Sequence, residues 1–564
     1  MPPKTLDARN IFSANTFISI NKMRTNQFSH LTLLALGFLL GTMPVFSAET
    51  TDSAGAPAEQ IAPERRRLSV REVSDEDIRK IVRVGKSLSL REAVPLALRE
   101  NLGIAVARTD KAIVEATPEI QEAEFDTSFS FSSIYGNTGN PYWEGQRAKG
   151  TSSQSWTNRA ELTKRFSYGT EATLYGNFNR NYNTLAGASP DSGAAIGLEL
   201  IQPLMSGFDQ AVNLAPLVKA RKNVAQSALS LRKQTLDLIY EAEIAYWNLS
   251  ASYALVSARL SSVRYAELLL NQAKERRALK DATKEDVLQA EADLASRRVN
   301  LVAARQSVED RDDALRKLLG EYGDALEGTY AVAKLSADVP RETLDFADWI
   351  VQVREFDINA RIQELEHEKA ELDYRVAEDA DRPVLNLVLG AEASGSESSP
   401  AKSVSGIVDR TGYDLSAGIR FSMPIGFRRA QAELRQASLR RGNAKLAIAQ
   451  ALQDAMFEAR SAWRAAESAR ERLDSAKLAL KMQQEAYEGQ VARYGVGRAT
   501  MTDVLSAQDS LDTARLDLIQ AALDMVTSRA KILRLDGRIL EENGFSWNEI
   551  DNEAPVTPRE FSAL

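Results

Sequence analysis

The 564-residue chain offers few side chains able to do chemistry. It has no cysteine and only two histidines, His30 and His367. That excludes disulfides, thiol nucleophiles, thiolate zinc sites, iron–sulfur clusters and a lipid anchor on cysteine. A catalytic histidine pair or a histidine-rich metal site is nearly ruled out as well. In Glu366-His367-Glu368 a histidine stands between carboxylates. No further histidine or cysteine completes a ligand set there, so the triplet reads as a solvated helix face. No nucleophile, base and orienting group fall into a recognisable set, so the chain reads as a non-enzyme without cofactor or metal. What remains is a repeated carboxylate. Asp286 and Asp503 each open the tripeptide Asp-Val-Leu, 217 residues apart. Taken alone, each reads as a first-turn helix residue favoured by the helix dipole.

These aspartates belong to a longer duplication. At the same offset Ala290 returns as Ala507, Leu294 as Leu511, Arg298 as Arg515, Leu301 as Leu518, Leu318 as Leu535 and Gly320 as Gly537. Trp247 returns as Trp463 with a slip of one residue. Two tandem copies imply one structural unit used twice, each burying a face against the other.

The elements that carry the copies are long. No proline occurs between Pro216 and Pro340, nor between Pro424 and Pro555, and both stretches are rich in strong helix formers. Leu231, Leu236, Leu238, Ile239 and Ala242 recur at helical spacing. Helices are predicted over about 210–278 and 428–495, each about 100 Å long. Such lengths imply a coiled-coil array or a helical tube. The second holds 17 alanines in 68 residues, which lets backbones approach closely. Pro216 and Pro424 stand ahead of these helices, where proline can start a helix without interrupting it. Ser89 and Glu92 have the spacing of a capping box, and Pro95 and Pro118 should kink the helix that follows.

The second kind of element alternates. In 411–423, Tyr413, Leu415, Ala417, Ile419, Phe421 and Met423 fall on one face, with Asp414, Ser416, Gly418, Arg420 and Ser422 on the other. Weaker alternation marks 127–135, 155–166, 169–182 and 194–202, and 384–391 is more uniformly apolar. The pattern suits a half-buried sheet or an outer-membrane barrel. Residues 137–193 are longer than a hairpin needs, and 155–166 with 169–182 could add a strand pair around Tyr168-Gly169-Thr170.

Lys and Arg number 70 against 78 Asp and Glu, a formal net charge of −8, which argues against a nucleic-acid partner. A mean hydropathy of −0.30 argues against a polytopic helical membrane protein. Leu31 to Phe46 is an apolar run followed by small residues at Ser47 and Ala48. It reads as a secretory signal peptide, being shorter than a spanning helix requires. Residues 1–22 lie outside that pattern and read as an upstream extension. The expected organisation is an extension and signal peptide over 1–48 and a flexible linker over 49–87. A first repeat follows over 88–320, a connection over 321–340, a second repeat over 341–540 and a tail over 541–564.

From about 88 to 540 the chain resembles the TolC-like outer-membrane efflux channels. The carriers are Leu88 to Asn101, Gln202-Pro203-Leu204 with Asn213 and Ala220-Arg221, Phe421-Ser-Met-Pro424-Ile425, and Arg493-Tyr-Gly-Val-Gly497 with Asp503-Val504-Leu505 and Ala507. The resemblance implies a mainly α protein with a small β part. Long antiparallel helical hairpins would form a periplasmic tunnel, and four strands from each subunit of a homotrimer would build a twelve-stranded outer-membrane β-barrel. It implies export driven by an inner-membrane RND or ABC pump through a periplasmic adaptor (membrane fusion protein). With no cysteine to acylate, the barrel in outer-membrane lipid would alone hold the protein in place.

The resemblance also assigns the tip. Asp503, with Asp286 as its counterpart, would ring the aperture, and threefold repetition would make the ring favour cations. Tyr494 and Arg498 would help hold the gate. Val496, Gly497, Val504, Leu505 and Ala507, with Val287 and Leu288 in the first copy, would dock the adaptor. Ser506 replaces a second acidic residue of some relatives, Ala499 an arginine, and Lys280 a glycine. The gate is therefore expected to be wired differently. A non-porous coiled-coil envelope protein would explain the helices but not the duplicated strands.

Overall fold

The computed structural model describes residues 73–140, 151–183, 191–321, 328–336, 345–409 and 412–547. The signal peptide, most of the linker and the end of the tail lie outside these residues.

A short helix α1 (Asp75–Ile81) and strand β1 (Val84–Ser87) lead into α2 (Leu90–Glu100), α3 (Leu102–Glu115) and α4 (Thr117–Glu122). Ser89 caps α2, its N–H donating to Glu92 at 2.9 Å and its hydroxyl at 2.8 Å. The expected single kinked helix is three helices. Pro95 is tolerated inside α2, and the breaks fall at Asn101, which caps α3, and at Ala116, just ahead of Pro118 in the first turn of α4.

Four strands follow: β2 (Ser128–Asn140), β3 (Thr151–Arg165), β4 (Glu171–Asn183) and β5 (Asp191–Pro203). The chain then turns through α5 (Gln210–Asn213) into α6 (Ala215–Ala278), 64 residues and about 95 Å long. Helix α7 (Lys284–Leu318) returns along it. Strand β6 (Thr329–Ala331) pairs in parallel with β1.

The second copy begins with α8 (Phe346–Phe356) and α9 (Ile358–Ala380). Strands β7 (Val384–Glu397) and β8 (Gly412–Ser422) are joined through α10 (Pro400–Val408). Helix α11 (Arg428–Gly495) has 68 residues, α12 (Met501–Leu535) returns along it, and α13 (Arg538–Glu542) closes the chain. Both return helices have 35 residues and start 217 residues apart, so the sequence offset is also the structural one.

Six strands form one antiparallel sheet in the order β2-β3-β4-β5-β7-β8. The strand pair expected within 137–193 exists and lies inside the sheet, so one chain supplies six strands where the resemblance implied four. Two core clusters position the helices. One packs Tyr246, Leu249, Val308 and Leu315 against α2 and α3. The other fills the end of the hairpins remote from the sheet, with Leu269, Ala273, Leu294, Tyr487 and Leu511 drawn from α6, α7, α11 and α12. Among the described residues no helix is long and apolar enough to cross a membrane.

Candidate functional site

The hairpins turn at residues 279–283 and 496–500, and sequence reasoning placed the site there. Both turns are built alike. In the second copy Gly497 adopts φ 72°. Its N–H donates to the Tyr494 carbonyl at 3.0 Å, and the Arg498 N–H donates to the Arg493 carbonyl at 2.8 Å. This pair of bonds is a Schellman motif, which satisfies the last carbonyls of α11. In the first copy Lys280 takes the glycine position at φ 68°. The Lys280 N–H donates to Arg277 at 3.0 Å and the Asp281 N–H to Arg276 at 2.8 Å. A lysine thus holds a left-handed conformation that costs an L-residue roughly 1–2 kcal/mol.

The aspartates start the return helices. Asp503 accepts from the Thr500 N–H and hydroxyl, both at 2.8 Å, and its own N–H donates to the Thr500 hydroxyl at 3.2 Å. Asp286 makes the same three bonds with Thr283, at 2.8, 2.8 and 3.1 Å. The backbone and hydroxyl bonds from Thr500 hold the Asp503 carboxyl below the usual carboxylate range. Asp503 is exposed and Asp286 half-buried. Asp503 is therefore a cap that keeps its charge at the mouth of its hairpin, and Asp286 caps the other return helix with the same bonds.

Tyr494 is buried at 5 % exposure. The Arg276 guanidinium lies 4.5 Å from the centre of its ring and donates to the Tyr494 carbonyl at 2.8 Å. Burial pushes the Tyr494 phenol up, with Arg276 opposing. Arg276 thereby ties α6 of the first copy to the end of α11 in the second. Sequence reasoning missed it, although Arg276 and Arg493 stand at the repeat offset and could have drawn attention. Arg498, expected at the gate, is exposed, and its backbone completes the turn.

A second missed residue lies higher in the bundle. Arg297 on α7 is 5 % exposed. It reaches Asp293 at 2.7 Å, Asp509 at 2.8 Å and Asp512, the last two on α12. Burial works against its charge, while these carboxylates more than compensate and raise its pKa. At the repeat offset its counterpart is Ala514, so duplication carried no signal for it.

The expected docking residues divide in two. Val504 is fully buried and Val287 is 5 % exposed, both inside the hairpin core. They belong to the same core cluster as Leu269 and Tyr494. Leu288 at 53 % and Val496 at 70 % exposure do present apolar surface, and Gly497 is exposed beside them. Leu505 and Ala507 are half-buried against the core. In the triplet Glu366-His367-Glu368, Glu366 pairs with Lys369 at 2.8 Å and Glu368 with Lys222 of α6. Glu368 thus fastens α9 to α6, while Glu366 pairs within α9. Among the described residues no group of three or more potential metal ligands occurs.

Known proteins share this architecture. The sequence profile of the family described as "Outer membrane efflux protein" matches residues 350–538. The chain is 25 % identical over 368 residues to the outer membrane efflux protein BepC of Brucella suis biovar 1 (strain 1330), covering 64 % of this chain and 76 % of that protein. It is 23 % identical over 341 residues to the outer membrane protein TolC of Escherichia coli (strain K12), covering 57 % of this chain and 68 % of that protein. The fold matches the Campylobacter jejuni CmeC outer membrane channel with a TM-score of 0.61 at 15 % identity, covering 87 % of this chain and 94 % of that one. In its two strand-and-hairpin copies, its long helices and its antiparallel sheet, the chain is similar to the outer membrane efflux proteins, whose family profile covers about a third of it.

Proposed function

We propose that the protein is the outer-membrane exit duct of an export system: a homotrimer whose sheets close a barrel in the outer membrane and whose hairpins form a tunnel across the periplasm. The observation that carries this reading is the combination of an open-edged sheet, apolar on one face and polar on the other, with helices about 95–100 Å long running from it. A sheet edge in lipid leaves backbone groups unsatisfied, and closure with further copies removes the edge. The division into repeats at 88–320 and 341–540 belongs to the same reading.

Energy would come from an inner-membrane RND or ABC pump, reached through a periplasmic adaptor. The adaptor would dock on the exposed apolar tip at Leu288, Val496 and Gly497, with Leu505 and Ala507 supporting from below. Asp503 and Asp286 would ring the aperture with fixed negative charge. Tyr494, held by Arg276, would be a closing contact, and Arg498 would stand beside it.

Membrane fractionation followed by native-size analysis tests this reading. A detergent-extracted outer-membrane trimer is expected, and recovery as a soluble monomer would sink it. For the tip, Leu288→Glu and Val496→Glu should each abolish export and adaptor pull-down while leaving the trimer intact. Undiminished pull-down would remove the docking assignment.

A further inference from the structure

The sheet has two strands more than the resemblance implied, and their placement bears on the width of the pore. Strands β3 and β4 lie between β2 and β5, the two strands that match the β7–β8 pair of the second copy. An added pair keeps every neighbour antiparallel. It also leaves the sheet with an upward strand at one edge, β2, and a downward strand at the other, β8, as antiparallel closure between copies requires.

The side-chain rows place the added pair in the wall. One row crosses all six strands as Phe129, Leu162, Leu174, Leu198, Ala391 and Leu415. All six are apolar, and the five larger ones are 41–76 % exposed in the single chain. The adjacent row, on the opposite face, reads Ser130, Glu161, Tyr175, Gly197, Glu392 and Asp414. Its polar groups join the added strands to their neighbours. Ser130 of β2 donates to Glu161 of β3 at 3.1 Å, and the Tyr175 hydroxyl of β4 to Glu392 of β7 at 2.8 Å. A hairpin standing in water beyond the membrane would have no reason to continue the greasy face in register. Nor would its polar face need to bond to the strands of the second copy. The aromatic residues Tyr135, Trp156 and Tyr182 sit near the sheet end remote from the helices. Two of them come from the added pair, as an interfacial girdle spanning it would require.

We infer that the β3–β4 hairpin is part of the lipid-embedded wall, and that three copies of this six-stranded sheet close an eighteen-stranded barrel. This rests on the trimeric outer-membrane reading above. Barrel diameter grows roughly linearly with strand number, so the pore would be about 1.5 times as wide as a twelve-stranded one. The row from Ser130 to Asp414 would face its lumen. The partners are bilayer lipid on the apolar face and a second copy of the chain along each edge, β8 of one against β2 of the next.

The natural absence of cysteine supplies the experiment, since any introduced cysteine is the only thiol. Leu162→Cys and Leu174→Cys on the added strands, and Leu415→Cys and Ile419→Cys on β8, are labelled with a small fluorophore in the full-length protein. Each is reconstituted in vesicles with and without brominated lipid. Thr163→Cys and Thr173→Cys report the opposite face through a charged, water-soluble maleimide. The expected result is equal quenching by brominated lipid at 162, 174, 415 and 419, with 163 and 173 unquenched and open to the maleimide. Quenching at 415 and 419 but not at 162 and 174 would overturn the inference while leaving a narrower barrel standing. Loss of quenching at all four would overturn it together with the barrel reading on which it rests. Trimers of each variant are checked by native size before labelling.

Discussion

The two helical hairpins are built to one plan, and the contacts by which one touches the other are where the plan is not repeated. Their return helices have equal length, their caps use the same Thr-x-x-Asp box, and their turns close with the same pair of backbone bonds. The pairs that cross between them are not repeated, although Arg276 itself has an equivalent in Arg493. Arg276 reaches Tyr494, where the first copy has Arg277; Arg297 reaches Asp509 and Asp512, where the second copy has Ala514. Glu243 is buried on α6, and with the one-residue slip its counterpart is the fully buried Ala459. Duplication therefore sets the shape of each half, and unpaired substitutions set how the halves are held together.

The largest expected effect comes from cutting the strap between the halves. Arg297→Leu leaves the buried Asp512 without its main partner, and losing one side of a buried ion pair costs about 3–5 kcal/mol. Thermal unfolding of the extracted protein should show it, and a much smaller loss would mean the halves are held by packing alone. The next effect is pH-dependent. Burial pushes the Glu243 carboxyl up from 4.5 to about 7, with Arg529 opposing. A folded-state pKa above the unfolded one makes the stabilising contribution full below about 4.5 and lost as pH rises through about 7. Glu243→Gln should flatten the fall in melting temperature between these values, on the order of 3 kcal/mol at pH 8. An unchanged slope would assign the pH dependence elsewhere.

The turns give a matched pair of tests. Gly497→Val forces a branched residue to φ 72° and should cost about 2 kcal/mol or slightly more, whereas Lys280→Gly should relieve strain and gain up to about 1 kcal/mol. Opposite signs at equivalent positions would show that the turn geometry is shared and only its residue differs. The smallest stability effect belongs to the caps. Asp503→Ala and Asp286→Ala should each lower the melting temperature slightly by removing the reciprocal cap. Their sharper readout is ion selectivity in single-channel recordings. Reduced cation preference in Asp503→Ala supports the aperture ring, and unchanged selectivity would leave the carboxylate as a cap alone.

Much of this was legible in the chain itself. The bounds of α6 and α11 follow from proline-free, alanine-rich sequence, because a helix hydrogen-bonds within itself and needs no distant partner to be specified. The strands of β8 and β7 were visible for the same local reason: alternation is a property of one segment. The extra pair β3 and β4 was visible as two segments, but its seat in the sheet depends on pairing partners as far away as Glu392, which bonds to Tyr175. At the tip, Asp286 and Asp503 were found because the motif repeats. Arg297 was missed because its counterpart is Ala514, and Arg276, although repeated as Arg493, because nothing local marks the Tyr494 that it reaches.

The sequence by itself thus determined the two copies, the long helices, the amphipathic strands and the absence of thiol or histidine chemistry. Each of these is written within one turn of helix, one pleat of strand or the residue count. Only the tertiary structure decided that Val287 and Val504 face the core, that Tyr494 is clasped by Arg276, that Arg297 gathers three carboxylates and that six strands join in one sheet. These depend on which element lies beside which. That choice follows from burial and pairing summed over segments some two hundred residues apart, beyond the reach of any local pattern.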